Sequence, residues 1–334
     1  MKAAVVRLPT SLESLSIEDL AEPAIAKGKL KVRWRALSLN FHDYAVVAGM
    51  LPAVDGRIPI SDGAGEIVAV GEGVSGWAVG DKVMSLFFPD WQDGEPTAAT
   101  TSRLGGDSTD GCAVEFGLVD PDKLTRIPKG YSYAEAATLP CAALTAWRAL
   151  VEVGQIEAGD QVLVEGTGGV SIFALQFAKS FGAKVYATSS SPAKLERLKT
   201  LGADATVDYH ADPNWGEAIS QLSGGGVDHV IDVGGSTTLD QSISAVKVGG
   251  SLVIIGILGG LMAEINLAKL MMKQQQIRPI AVGSRAMQLR MVEAIEKSGM
   301  KPIIDTRFPL SKMADAFRYQ LSGQHFGKIV IDID

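Results

Sequence analysis

Apolar and polar residues alternate along the first third of the chain. In KLKVRWRALSLN, residues 29–40, every second side chain from Leu30 to Ala36 is apolar, and lysine or arginine stands between them. This period of two is typical of a strand with one buried face. Residues 65–87 predict two more strands joined by a glycine-rich turn, whereas residues 89–111 are polar and show no periodicity. The first part of the chain is therefore predicted to be rich in β-structure.

The pattern changes near residues 121–135. Ser132 followed by Glu135 has the spacing of a helix-capping pair. Beyond it, short apolar strands alternate with helical stretches: strands at 161–165, 184–188, 227–233 and 251–257, and helices at 170–181 and 192–201. That alternation predicts a doubly wound parallel sheet. After about residue 262 the pattern changes again, and GKIVIDID predicts a closing strand.

A glycine-rich loop joins the first predicted strand of this region to its helix. It contains Gly166, Gly168, Gly169 and Val170, and Ser171 stands where the third glycine of G-x-G-x-x-G is expected. The first two glycines permit a tight turn and a close approach of the backbone to a pyrophosphate, which the start of the helix attracts. We expect the serine to displace the helix slightly. A βα turn without a ligand is the alternative.

Three serines end the next predicted strand, where an NAD-binding site has an acidic residue for the ribose hydroxyls. Ser189 and Ser190 remove that negative charge, and Lys194 follows one turn into the next helix. This combination favours NADPH over NADH. The same turn is also predicted to cap the helix, with Ser191 at the N-cap and Pro192 at the first helical position.

Composition narrows the possible partners. The chain has 334 residues, a length typical of two domains, and a formal net charge of −7, which disfavours nucleic acid and anionic membranes as partners. Its only cysteines are Cys112 and Cys141, so no disulfide framework is expected. The N-terminus lacks the apolar run of a secretory signal, and the most apolar window, 251–263, is too short to span a bilayer. We expect a soluble cytoplasmic protein that acts on a small molecule.

Together these motifs resemble the medium-chain dehydrogenase/reductase superfamily, and within it the zinc-independent quinone oxidoreductase branch. The resemblance covers nearly the whole chain and is carried by SLNFHDYAVVAG, DGAGEIVAVGEGVSGWAVGDKV, AATLPCAALTAWRAL, EGTGGVS, KLERLKTLGADATVDY, DHVIDVGG, VIIGILGG and HFGKIVI. It implies a Rossmann NADP-binding domain over residues 126–265. A β-rich, GroES-like catalytic domain would comprise residues 1–125 and be completed by 266–334. It also implies a homodimer.

Zinc-dependent members of this superfamily hold a catalytic ion with two cysteines and a histidine. The resemblance places Asn40, Ser61 and Cys141 at those positions, so one ligand remains. One thiolate does not hold a zinc ion, because a catalytic site takes three protein ligands. A site improvised from His42, Asp62 and Cys141 is the alternative. We expect no metal.

Without a metal to lower the pKa of an alcohol, quinones and activated enones are the favoured hydride acceptors. The resemblance implies Asn40 and Thr145 as contacts to the nicotinamide, and Gly166, Gly168, Gly169 and Val170 as contacts to the pyrophosphate. Ser189, Ser190, Lys194 and Tyr209 would face the adenosine 2′-phosphate. Further cofactor contacts are implied at Val233, Gly256, Ile257 and Lys328.

The proton donor is not identified by the sequence. Tyr44 is a candidate catalytic residue beside Asn40, but a packing role explains it equally well. Protonation from water or from the cofactor ribose is the alternative. Other functions remain open: a zinc-independent alcohol or aldehyde reductase, a nicotinamide-binding protein with little catalysis, and a methyltransferase, which the absence of an acid at Ser189 disfavours.

Overall fold

The computed structural model describes residues 1–334, which form two compact units. One unit contains residues 1–144 and 282–334, and the other contains residues 145–281. The sequence placed these boundaries at 125/126 and 265/266. They differ because the helix Tyr133–Ala137 packs on strands of the first unit, and because strand Gln276–Pro279 pairs within the sheet of the second.

Fifteen strands, β1 to β15, follow one another along the chain. They are Lys2–Val5, Ser16–Asp19, Leu30–Ser38, Asp62–Val70, Lys82–Ser85, Phe116–Val119, Leu124–Arg126, Gln161–Glu165, Lys184–Ser189, Ala205–Asp208, Val227–Asp232, Val246–Ile254, Gln276–Pro279, Ile304–Pro309 and Lys328–Asp332.

Eleven α-helices, α1 to α11, lie between the strands. They are Phe41–Val47, Ala98–Thr101, Tyr133–Ala137, Leu144–Trp147, Gly169–Ser180, Pro192–Thr200, Trp215–Leu222, Leu239–Ala245, Leu267–Lys273, Arg285–Ser298 and Met313–Leu321. Two π-helical segments, Leu139–Ala143 and Arg148–Val153, lie on either side of α4. No helix combines the length and the apolar character that crossing a bilayer requires.

The first unit is built on a seven-stranded sheet. Its strands are ordered β14-β15-β3-β4-β5-β7, and β6 also pairs with β3. The period of two predicted for β3 is confirmed, since Leu30, Val32 and Trp34 are buried and the residues between them are partly exposed. β15 pairs antiparallel with β3, Val330 lying opposite Ser38, so the end of the chain is part of this sheet.

The second unit contains a six-stranded, wholly parallel sheet in the order β10-β9-β8-β11-β12-β13. The order reverses between β8 and β11, and ligands of doubly wound sheets bind at such a switch point. Val162, Leu163 and Val164 of β8 are all buried, as expected of a central parallel strand covered on both faces. The predicted fold class, a doubly wound α/β sheet plus a GroES-like β-rich unit, is confirmed.

Most predicted elements of this region agree with the structure within one or two residues. Ser132 and Glu135 form the predicted capping box at the start of α3. The strand predicted at 251–257 is an exception, since β12 begins at Val246 and ends at Ile254. Gly249 and Gly250 hid its first half from the sequence pattern, because β12 passes through both glycines with an irregularity in its pairing to β11.

Candidate functional site

The glycine loop lies directly after β8. Gly166 has a φ of +70°, a left-handed conformation that glycine adopts without strain. Gly168 has an ordinary extended backbone at the N-cap of α5, and a Cβ added there would meet no protein atom within 4 Å. Gly169 and Val170 form the first turn of α5, whose free N–H groups favour an anion. The backbone conformation at position 166 requires glycine, whereas position 168 does not. The open space beside Gly168 is what a bound pyrophosphate would need.

Ser171 has a more specific role than the sequence indicated. Its buried hydroxyl donates a hydrogen bond to the main-chain oxygen of Glu165 at 2.6 Å. This bond links the first turn of α5 to the last residue of β8. The serine therefore fastens the helix to the strand and does more than fill the space of a glycine.

The parallel sheet brings the predicted cofactor residues of the second unit to one edge. They lie at or just after the carboxyl ends of five of its strands: Gly166–Val170 after β8, Ser189 and Ser190 at β9, Tyr209 after β10, Val233 after β11, and Gly256 and Ile257 after β12. Thr145 is buried at the first residue of this unit. Asn40, Tyr44 and Lys328 belong to the other unit.

The serine turn after β9 combines buried and exposed hydroxyls. Ser189 is buried, and its hydroxyl accepts a hydrogen bond from the main-chain N–H of Ser191 at 3.3 Å, whereas Ser190 is exposed. Ser191 caps α6 and Pro192 follows it, as the sequence predicts. Lys194 is half-buried in the first turn of α6. Tyr209, which stands after the neighbouring strand β10, is 39% exposed.

A buried acidic network beneath the glycine loop was not found by the sequence analysis. The hydroxyl of Ser242 lies 2.5 Å from Glu165 Oε1 and 2.8 Å from Asp232 Oδ2. Asp232 Oδ1 accepts hydrogen bonds from the Gly235 N–H and the Thr238 hydroxyl, but Glu165 Oε2 is buried without a partner. Burial, reinforced by the Asp232 charge, raises the pKa of Glu165 well above its ordinary value.

The hydrogen-bond arrangement also favours a proton on this pair of carboxyl groups. The Ser242 hydroxyl has a single hydrogen for two carboxyl oxygens. If Glu165 is protonated it donates to Ser242, which then donates to Asp232, and every proton has an acceptor. Burial and this hydrogen-bond pattern both favour the protonated form of Glu165, at the end of the strand that leads into the glycine loop.

In the first unit, Asn40 lies in a buried polar cluster. It is the N-cap of α1, where its N–H donates to Asp43 Oδ2 at 2.8 Å. The other oxygen of Asp43 accepts from the Ser61 N–H at 2.9 Å. Asn40 Nδ2 lies 3.4 Å from the Ser61 hydroxyl. The single carboxylate of Asp43 thus holds the main chain at both Asn40 and Ser61.

The residue before Ser61 has a strained backbone. Ile60 is fully buried and has a φ of +74°, which a β-branched side chain rarely adopts. Gly106 and Gly111 pack so closely against its main chain that a Cβ on either would collide with it. Strain of this kind concentrates at functional sites, where the surrounding structure imposes it. Here it fixes the direction in which Ser61 and Asp62 leave the loop.

Lys328 brings a positive charge into this cluster. Its ammonium donates to Asn40 Oδ1 and to the main-chain oxygen of Leu39, each at 2.6 Å, and the residue is only 3% exposed. Burial lowers the pKa of Lys328, and the negative groups Asp62, Cys141 and Asp43 oppose that shift. The family resemblance implies Lys328 as a cofactor contact, and this stays a prediction. In the structure its ammonium has two acceptors within the first unit.

Asp62 completes the cluster from β4. Its Oδ1 accepts from the Ser61 hydroxyl at 3.0 Å, and its Oδ2 accepts from the Cys141 N–H at 3.1 Å. That N–H is available because Cys141 lies in the first turn of the π-helical segment Leu139–Ala143, where main-chain N–H groups have no partner within the helix. Burial raises the pKa of Asp62 to about 7 against the attraction of Lys328.

The side chains of this cluster do not fit a zinc ion. Of the three positions that align with zinc ligands, Asn40 and Ser61 supply an amide and a hydroxyl, and an ammonium is bonded to the amide. His42, the histidine of the alternative site, instead faces Asp107 at 3.3 Å and packs edge-on against Phe87. No three His, Cys, Asp or Glu side chains are arranged to hold a metal.

Tyr44 packs as an aromatic residue of α1. Its ring lies 5.9 Å from that of Phe41 and 6.3 Å from that of Phe317, measured between ring centroids. It contacts the edge of the hydrophobic core of the first unit. These contacts are those of a packing side chain, and the catalytic role of Tyr44 stays a prediction.

Comparison with known proteins identifies the family of the chain. Two family models match: an alcohol dehydrogenase GroES-like domain over residues 26–129 and a zinc-binding dehydrogenase over residues 169–297. A zinc-type alcohol dehydrogenase-like protein of Schizosaccharomyces pombe is 43% identical, and the match covers 97% of each chain. A chloroplast envelope quinone oxidoreductase homolog of Arabidopsis thaliana is 30% identical, over 93% of this chain and 91% of its own. The solved structure of an NAD-dependent alcohol dehydrogenase superposes with a TM-score of 0.92 at 32% identity, over 100% of both chains.

The glycine loop at the switch point, the GroES-like unit and these relatives together define the class. The chain belongs to the medium-chain dehydrogenase/reductase superfamily, as its sequence motifs predict. It is an oxidoreductase of that superfamily that uses a nicotinamide dinucleotide.

Proposed function

We propose that the protein is an NADPH-dependent reductase that transfers a hydride to a quinone or an activated enone without a metal ion. The observation that carries this proposal is the cluster around Asn40. Where a zinc-dependent relative would hold its ion, this chain has an amide, a hydroxyl and the Lys328 ammonium. Further support for the proposal comes from the glycine loop after β8 and the serine turn after β9.

The loop and turn residues suit a dinucleotide with a 2′-phosphate. The open space at Gly168 and the N-terminus of α5 would receive the pyrophosphate. The serine turn leaves the end of β9 without an acid, and Lys194 supplies a positive charge one turn further on. We propose as cofactor-binding residues Thr145, Gly166, Gly168, Gly169, Val170, Ser189, Ser190, Lys194, Tyr209, Val233, Gly256, Ile257 and Lys328.

The substrate class follows from the chemistry that the chain supplies. A bound NADPH would provide the hydride. An alcohol or simple ketone needs strong polarisation of its oxygen, which zinc supplies in metal-dependent enzymes. Conjugated acceptors need less polarisation of their oxygen, because the developing negative charge spreads over the conjugated system. The polar cluster then serves to hold the acceptor and to face its developing negative charge with the Asn40 side-chain N–H groups.

The experiment is a substrate panel with matched controls. The purified protein is assayed with quinones, enones, aldehydes and alcohols, each with NADPH or NADH, or with the oxidised cofactor for alcohols. Gly168→Val, which should not bind the dinucleotide, provides the blank. The proposal requires the largest kcat/KM with NADPH and a quinone or enone. A panel without turnover, combined with tight NADPH binding, would favour a binding protein with little catalysis.

A second candidate is a metal-independent alcohol or aldehyde reductase. The observation that favours it is the naming of the relatives. The Schizosaccharomyces pombe protein is described as zinc-type alcohol dehydrogenase-like, and the superposed structure as an NAD-dependent alcohol dehydrogenase. Turnover of aldehydes well above that of enones in the same panel would select this candidate. The cofactor that gives the higher kcat/KM would decide between NADPH and NADH, the reduced form of the cofactor named for the solved relative.

We also infer that the protein forms a homodimer through the second unit. β13 is the edge strand of the parallel sheet, and the segment before it exposes a series of apolar side chains, with Leu261 79% and Met262 87% exposed. An unpaired strand beside an exposed apolar segment favours pairing with another chain. Sedimentation equilibrium of the purified protein distinguishes a dimer from a monomer.

A further inference from the structure

The cluster around Asn40 replaces the charge of a metal as well as its ligands. If an amide and a hydroxyl simply replaced two of the zinc ligands, the acidic groups Asp43 and Asp62 would be buried without a cation. Both are nearly inaccessible to solvent, at 1% and 0% exposure. Buried carboxylates are costly unless a positive charge or hydrogen-bond donors face them. Lys328, also buried, places its ammonium in this cluster, where it donates to Asn40 Oδ1.

The register in which β15 pairs with β3 sets the position of the Lys328 ammonium. β15 runs antiparallel to β3, with Val330 opposite Ser38 and Ile331 opposite Leu37. Continued by two residues, this register sets Lys328 opposite Asn40. The ammonium is held there by two acceptors, the Leu39 main-chain oxygen and Asn40 Oδ1, both at 2.6 Å. Its place is therefore fixed by the backbone of the sheet and not by a flexible surface contact.

We propose that the Lys328 ammonium substitutes for the catalytic metal of this fold: it neutralises the acidic cluster, orients the Asn40 amide and excludes a divalent cation. With Oδ1 of Asn40 held by the ammonium, Nδ2 is directed to the opposite side, toward Ser61. Lys328 is thus a positioning residue for Asn40. It also bars zinc, because a dication would have to enter beside a buried positive charge.

Exclusion of zinc by the Lys328 ammonium predicts a different zinc-binding result from loss of the ligands alone. If only the ligands were missing, restoring them would restore zinc binding. If the ammonium excludes zinc, the restored ligands will bind it tightly only after Lys328 is removed as well. This inference rests on the proposed metal-free function. Zinc binding is measured without substrate or cofactor, however, so the inference and the proposed function can fail separately.

The experiment compares two variants that share restored ligands. Asn40→Cys with Ser61→His recreates the aligned ligand set together with the native Cys141. The same pair is then combined with Lys328→Met, or with Lys328→Gln if the first combination does not fold by circular dichroism. The matched control combines the pair with Lys312→Met, which removes a lysine that is 62% exposed. Zinc affinity is measured by competition with a chromophoric chelator, and cobalt absorption reports the coordination of a thiolate.

We expect the Lys328→Met combination to bind zinc at least about 100-fold more tightly than the pair alone, because a buried like charge has been removed. The Lys312→Met control should bind as weakly as the pair. Cobalt should show an intense thiolate charge-transfer band only where Lys328 is absent. Equal affinity of the pair with and without Lys328, whether both bind zinc or neither does, would overturn the inference.

Discussion

The hydroxyl of Ser171 donates a hydrogen bond to the main-chain oxygen of Glu165 at 2.6 Å, across the strand-to-helix turn that frames the glycine loop. Ser171 occupies the position at which the dinucleotide motif has its third glycine. A glycine lets helix and strand approach closely. Here the two elements are joined by a hydrogen bond instead.

Ser171→Ala should therefore destabilise the fold by about 0.5–1.5 kcal/mol, the usual contribution of one hydrogen bond. Ser171→Gly should cost more, because glycine also weakens a helix by up to about 1 kcal/mol relative to alanine. The Kd for NADPH should change little in either variant, since the hydroxyl faces the strand. Urea unfolding and cofactor titration measure the two quantities. Unchanged stability in both variants would show that the hydrogen bond contributes nothing.

Gly168→Val should lose NADPH binding without losing stability. The backbone at Gly168 is extended and no protein atom lies near an added Cβ, so the fold tolerates a side chain there. The side chain would instead occupy the space proposed for the pyrophosphate. Gly166→Val is the contrast, because its φ of +70° makes any side chain strained and should lower stability as well. Binding of NADPH by Gly168→Val with the parental Kd would refute the placement of the phosphate.

Lys194→Ala should weaken NADPH and spare NADH. A charge-assisted hydrogen bond to a phosphate contributes about 1.5–3 kcal/mol, which is roughly a ten- to hundredfold change in Kd. NADH lacks the 2′-phosphate, so its Kd should barely move, and the loss for NADPH should shrink at high salt. Ser189→Asp should shift preference toward NADH, since the acid accepts from the ribose hydroxyls and repels the phosphate. Equal weakening of both cofactors by Lys194→Ala would assign the lysine a structural role.

Glu165→Gln should change how stability depends on pH. The unfolded chain loses this proton near its ordinary pKa of 4.5, whereas burial and Asp232 keep Glu165 protonated in the folded chain to higher pH. Above pH 4.5 the folded state then holds more protons than the unfolded state, so its stability falls as pH rises, by up to about 1.4 kcal/mol per pH unit. The glutamine variant should lack this decline between pH 4.5 and the raised pKa.

The control for that experiment is Glu157→Gln, at an exposed glutamate of the same unit. It should follow the wild-type dependence of the free energy of unfolding on pH. Parallel curves for wild type and Glu165→Gln would mean that Glu165 does not hold its proton in the folded state.

The sequence predicted what depends on local pattern. The alternation in β3, the capping box at Ser132 and the helix that begins at Gly169 are each determined by a few neighbouring residues. The glycine loop was identified for the same reason, since its turn and its helix are adjacent in the chain. The confirmed fold class follows from the order in which such local patterns occur.

The clusters that depend on strand pairing were not predictable in this way. Lys328 and Asn40 are 288 residues apart and meet only because β15 pairs with β3. Glu165 and Ser242 are 77 residues apart and meet because β8 and β11 are neighbours in the sheet. The sequence contains both pairs, but no spacing rule indicates that a buried lysine will lie beside an asparagine from the other end of the chain.

Hydride transfer by this protein is proposed to need no metal ion. The most direct test is turnover of an enone or a quinone with NADPH by protein that has been stripped with a chelator, with its metal content determined by elemental analysis in the same sample. We expect full kcat at less than about 0.1 zinc per chain, since the aligned ligand set supplies one thiol where a catalytic site takes three ligands. One tightly held zinc per chain, with kcat lost on its removal and regained on its return, would contradict it.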